Sequence, residues 1–229
     1  MYWQDRTDNK PYVVPDDILD LAFGISCRSL PVDHAHALSQ ALVRALPWLA
    51  QEERAGVHLI HGAESSHGWQ RPSDPDTDVL YLSRRTKLTL RLPKERIGDA
   101  QALTGTTLEV AGSRLELRAA TVRPLSAITT LQARYVVAPE QTPEEQFLNE
   151  TAEELARMGI VARKLLCGRS AVFRVPEGRL FTRRLMVADL TPEESVRLQQ
   201  LGLGAGRKMG CGLFIPHKGI VAVNASDES

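Results

Sequence analysis

At 229 residues with 43% hydrophobic content, the chain is long enough for one or two ordinary globular cores. Formal net charge is zero, aromatic content is only 5%, and the three cysteines (Cys27, Cys167, Cys211) are widely spaced. These features argue against a broad base-stacking platform, a disulfide framework or a zinc site, and they fit a reducing cytoplasm. Met1 to Pro15 is polar, and no apolar run has the length of a membrane span, so neither a signal peptide nor a membrane partner is expected.

Residues 1–15 form a loose lead-in. Leu19, Leu21, Phe23, Ile25 and Cys27 then alternate with Asp20, Ala22, Gly24 and Ser26, which predicts a strand with one buried face. Asp33 can cap a helix whose stripe is Leu38, Ala41, Leu42, Ala45 and Leu46, and Pro47 ends or kinks it. A short strand is expected at Gly56 to Gly62, followed by a Ser-, Pro-, Gly- and Asp-rich loop over 63–77. Strands at Val79–Leu82 and Lys87–Leu92 flank Arg84-Arg85-Thr86. A helix starts at Pro93, and a hairpin turns about Ala111-Gly112-Ser113.

The pattern restarts near Arg123-Pro124. A strand over Leu131–Val137 leads to a helix opened by Thr142-Pro143-Glu144-Glu145. Strand pieces follow at 161–166, 171–175 and 180–187. A second opener of the same four residues, Thr191-Pro192-Glu193-Glu194, precedes the last helix. Proline at the first turn with acids beside it suits a helix N-terminus. The order β-α-β-β-α-β thus occurs twice. The expected architecture is α+β, two ferredoxin-like (RRM-like) domains in tandem over 16–122 and 125–223 with a tail over 224–229.

Between the last helix and last strand lie five glycines within eleven residues, Gly202, Gly204, Gly206, Gly210 and Gly212, beside Arg207 and Lys208. A nucleotide loop does not fit. No Ser or Thr follows the lysine, and the helix-to-strand order reverses that of a dinucleotide fingerprint. Free amides beside two cations can still seat a phosphate chain, although a turn that only closes a domain reads equally well. Charge supports the first reading. From Arg163 to Lys218 there are eleven Lys or Arg against four Asp or Glu, a local basic footprint in a neutral chain.

The run Gly-Leu-Gly-x-Gly-Arg-Lys-Met-Gly-Cys-Gly-Leu-Phe over 202–214 resembles the C-terminal loop of the RAMP proteins of CRISPR systems. More narrowly, the chain resembles the Myxococcus-type branch of the repeat-processing endoribonucleases. Supporting stretches are 30–34, 45–49, 56–60, Leu90-Arg91-Leu92-Pro93, 123–125 and 198–216. The resemblance implies a cofactor-free, metal-independent endoribonuclease that cuts CRISPR precursor RNA within the repeat. The 2′-hydroxyl attacks, leaving a cyclic phosphate, and the guide RNA is retained. Other subunits of an effector complex are possible partners. The alternative is a non-catalytic RAMP subunit that binds guide RNA in such a complex. A third reading is an unrelated tandem ferredoxin-like protein that binds a small metabolite.

Such chemistry needs a base, an acid and a cation on the phosphate, and histidine suits the first two. The resemblance implies a histidine in or just after the first helix. The Val43-Arg44 region has none, and Ala50 stands where some relatives place it. His34, at the helix start, is the first candidate for the base, with His58 next and His61 third. His36 falls on the opposite helical face from His34; His67 and His217 lie in a loop and past the last strand. Expected RNA contacts are Arg207, Lys208, Gly204, Gly206 and Gly210 in the loop, with Arg183, Arg184, Arg85 and Lys218. Neighbours on a strand face opposite ways, so only one of Arg183 and Arg184 need touch RNA.

Overall fold

A computed structural model describes residues 12–62 and 79–217. Two antiparallel sheets carry the molecule. In the first half, β1 (Ile18–Ser26) lies between β5 (Lys87–Pro93) and the long β7 (Ser113–Pro124). Beyond them are β3 (Gly56–Val57) and β6 (Thr107–Val110), giving the order β3-β5-β1-β7-β6. The two crossovers carry α1 (Ala35–Ala45) and the short α2 (Ile97–Gln101). The alternation in β1 works as expected. Leu21, Phe23 and Ile25 are buried in one core with Leu38, Ala41 and Leu42 of α1.

The second sheet has the order β11-β8-β10-β9, with β8 at Leu131–Val137, β9 at Lys164–Val175, β10 at Gly178–Ala188 and β11 at Phe214–Pro216. Helices α3 (Glu144–Arg157) and α4 (Pro192–Leu201) cover one face. Both sheets therefore keep the ferredoxin-like arrangement, in which the first and third strands are central. The first adds β6 at its edge. The strand expected at 79–82 does not join it. As β4 (Val79–Tyr81) it pairs only with β2 (Ser29–Pro31) in a separate two-stranded ribbon. The three strand pieces expected between α3 and α4 are two long strands that form one hairpin.

The twin helix openers diverge. Thr191 completes a capping box: its hydroxyl accepts from Glu194 N at 3.2 Å, and Glu194 Oε2 accepts from Thr191 N at 2.8 Å. At α3 the N-cap is Pro143, without a side-chain cap, and the Thr142 carbonyl instead accepts a hydrogen bond from Arg183. Asp33 does not cap α1 either. Its Oδ2 accepts from the Arg174 amide at 2.9 Å and ties the β9–β10 hairpin to the helix start.

The two halves share a packed seam. The first core includes Tyr135, Phe173 and Cys211 from the second half. A Cβ on Gly210 would stand 2.5 Å from Leu59 Cγ, and one on Gly56 would stand 2.5 Å from Leu213 Cδ2. Glycine at these two positions lets the Gly-rich loop lie against β3. Two arginines rivet the seam. Arg91, 1% exposed, donates to Asp20 beside it and across the seam to Gln199 O at 3.1 Å and Phe214 O at 2.8 Å. Arg207 reaches back to Arg54 O at 3.1 Å. No helix among the described residues is long and apolar enough to cross a membrane.

Candidate active site

Two cavities flank the Gly-rich loop. The first, about 240 Å³, lies between the open faces of the two sheets. Asp20 and Ala22 of β1, Lys87 and Thr89 of β5, and Arg123 of β7 face Arg134 and Tyr135 of β8 there, with His58 and His61 at one side. The His58 imidazole is held well below its usual range, at about 4, first by burial and then by the Arg91 charge. Burial works against the Asp20 carboxylate too, but the charge and hydrogen bonds of Arg91 outweigh it and keep the carboxyl low. His58 Nε2 lies 3.9 Å from Asp20 Oδ1. The His58 ring is thus neutral near pH 7 and sits on a buried ion pair. His61 stacks on Tyr135 at 6.0 Å.

The second cavity, about 360 Å³, opens on the other side of the loop. His36, Ser39 and Gln40 come from α1, Val175 and Glu177 from the β9–β10 hairpin, and residues 206–209 from the loop. At i, i+3 and i+4, the three α1 residues form one polar row, in which Ser39 is buried. Lys208 forms no ion pair among the described residues. The amides of residues 205–208 donate to no backbone carbonyl among the described residues. A half-exposed imidazole, an ammonium group and free amides around one cavity can exchange a proton and hold a phosphate.

His34 is not in that cavity. It is 2% exposed, its Nδ1 lies 2.9 Å from Pro31 O, and its Nε2 accepts from Ile60 N at 3.3 Å. A single neutral tautomer satisfies both bonds and braces the start of α1 against the chain after β3. A ring with both nitrogens engaged by backbone does not suit the base role expected of it. His36, two residues on and on the opposite helical face, lines the cavity instead. That polar row was the available signal.

The expected RNA contacts also divide. Arg207 donates to the carbonyls of Arg54, Gln200 and Leu201, and burial pushes its guanidinium down to about 10. It is a strut whose two terminal nitrogens are held by carbonyls, while its Nε is buried without a hydrogen-bond partner among the described residues. Gly204 N donates to Glu154 Oε1 at 3.1 Å, so that amide is taken, while Gly206 lines the second cavity and Gly210 the first. Arg183 lies over the Phe147 ring at 5.7 Å and binds the Thr142 carbonyl, on the helix side of its sheet. Arg184 turns the other way and packs against Gly168. Arg85 is exposed in the turn before β5 and lines neither cavity. Lys218 and His67 lie outside the described residues.

Comparison with known proteins agrees with this architecture. The family model described as "Cas6 Crispr" matches residues 19–219. The CRISPR-associated endonuclease Cas6 of Myxococcus xanthus (strain DK1622) is 33% identical over 198 residues, 86% of this chain and 81% of that protein. Among solved structures, a CRISPR associated protein Cas6 superposes with TM-score 0.57 at 12% identity, covering 88% of this chain and 100% of the other. A Cas6-related protein from Pyrococcus furiosus gives TM-score 0.56 at 11% identity over 86% and 97%. These two likenesses speak for the fold, and the sequence match speaks for the family. The chain belongs to the Cas6 family of CRISPR-associated endoribonucleases.

Proposed function

We propose that this chain cuts CRISPR precursor RNA within its repeats, without a metal ion, in the cavity between α1, the β9–β10 hairpin and the Gly-rich loop. The observation that carries the reading is the meeting of His36 with Lys208 around that one cavity. The scissile phosphate lies across residues 205–208. The 2′-hydroxyl upstream of it attacks phosphorus, the bond to the 5′-oxygen breaks, and the upstream product ends in a 2′,3′-cyclic phosphate. His36 moves one of the two protons, and Lys208 balances charge that builds on the non-bridging oxygens. The basic hairpin beside the cavity, with Arg169, Arg174 and Arg179 exposed, gives the RNA a polyanion-binding flank and a means of product retention.

Single-turnover cleavage of repeat RNA in EDTA tests this. His36→Ala is expected to slow cleavage by about 10²-fold or more, the usual size of a general acid–base contribution, with little change in affinity for a 2′-deoxy repeat. A strict magnesium requirement, or a linear phosphate at the upstream end from the first turnover, excludes the mechanism. A wild-type protein that binds the repeat and leaves it whole is instead a non-catalytic RNA-binding subunit.

A further inference from the structure

The cleavage step needs two proton transfers, off the 2′-oxygen and onto the 5′-oxygen, and His36 accounts for one. The cavity holds a second group that exchanges protons. Glu177 stands on the two-residue turn between β9 and β10, where Val175 pairs with Gly178 and Pro176 restricts the backbone. The turn is anchored to the helix start by the Asp33–Arg174 hydrogen bond of 2.9 Å, three residues before His36. Glu177 has no hydrogen bond or ion pair among the described residues, although Arg207 and Lys208 line the same cavity. A carboxylate weakens a site built only to hold phosphate, because like charges repel. It is useful there if it takes a proton.

We propose that Glu177 is the general base of the reaction and His36 the general acid, an assignment that rests on the proposed function above. In such a pair the carboxylate is the acceptor and the imidazolium the donor. The Glu177 carboxylate takes the 2′-hydroxyl proton as the 2′-oxygen bonds to phosphorus. The phosphorus–5′-oxygen bond breaks, and the departing oxygen receives the proton of the His36 imidazolium. Glu177 ends protonated, His36 ends neutral, and exchange with water restores both. No oxidant, metal or other reactant is consumed.

The test uses two repeat RNAs in single-turnover assays, one natural and one with sulfur in place of the bridging 5′-oxygen at the cut. A thiolate leaves without help from an acid, so the sulfur substrate needs only the base. Glu177→Gln is expected to lose about 10²-fold or more on both substrates. His36→Ala is expected to lose as much on oxygen and to recover most of it on sulfur. Affinity for the 2′-deoxy repeat and the thermal midpoint, both expected to stay at wild-type values, show that folding and binding are intact. Wild-type cleavage by Glu177→Gln, or recovery of Glu177→Gln rather than His36→Ala on sulfur, overturns the assignment and leaves the site standing. Wild-type cleavage by His36→Ala shows that the site itself is misplaced.

Discussion

The two cavities on either side of the Gly-rich loop are built from similar residue types but differ in how their central carboxylate is held. Each has histidine, arginine, lysine and a carboxylate on its walls. Between the sheets, Asp20 is bound by Arg91, and Arg91 also holds two carbonyls of the other half. His58 beside them is buried and neutral. On the α1 side, His36, Glu177 and Lys208 are left unmatched among the described residues, and only Arg207 is committed. The Asp20–Arg91 pair secures the seam, whereas the carboxylate of Glu177 is left for a substrate. A list of polar residues cannot separate the two roles, because partner count and burial decide between them.

Removing the central pair should break that contrast most severely. Arg91→Met leaves the Asp20 carboxylate without its partner and strips donors from Gln199 O and Phe214 O. Loss of one member of a buried pair typically costs about 3–5 kcal/mol. The urea midpoint is the measurement, and Asp20→Asn combined with Arg91→Met should recover part of the loss. A midpoint unchanged in Arg91→Met means that the seam is held elsewhere.

Much of the architecture could be read along the chain, because it depends on local periodicity. The alternation from Leu19 to Cys27 and the stripe from Leu38 to Leu46 each specify an element and its buried face. Their order in two similar halves carries the ferredoxin-like plan. What could not be read is which distant segment each polar residue meets. Arg207 looks like a phosphate ligand until Arg54, from the other half, supplies it a carbonyl. His34 and His36 differ by two positions, about 200° around a helix. The apolar stripe shows which side is buried, but not that the Gly-rich loop covers the other side. The same four residues open α3 and α4, yet only Thr191 caps; at α3 the N-cap position falls on Pro143, which has no side-chain acceptor.

His58 offers a smaller test through pH. Its folded value of about 4 lies below the 6.5 of a free imidazole. As pH falls through 6.5 the unfolded chain takes up a proton that the folded chain refuses, so stability drops with falling pH until about 4. Between pH 6.5 and 4.5 this group alone should remove of order 2 kcal/mol. In His58→Gln that share of the pH dependence should vanish, while cleavage at pH 7 stays near the wild-type rate. A cleavage defect with normal stability would move the His58 ring from the seam into the chemistry.

The smallest effects separate the adjacent Arg207 and Lys208. Arg207→Ala removes donors from three backbone carbonyls at the seam, and hydrogen bonds from charged groups are worth about 1.5–3 kcal/mol. Because these donors are partly exposed, a loss of about 1–2 kcal/mol in unfolding free energy is expected. The salt dependence of RNA binding should barely change, since both terminal nitrogens of that guanidinium already hold protein carbonyls. Lys208→Ala should do the reverse. An unpaired surface lysine contributes within about 0.5 kcal/mol to folding. One phosphate contact fewer should reduce the slope of log K against log salt by about 0.7–0.9. Affinity measured across a salt series, beside urea midpoints for both variants, reads the two effects separately. If Arg207→Ala flattens the salt slope and Lys208→Ala does not, then the guanidinium leaves its carbonyls to grip the RNA, and the loop must rearrange on binding.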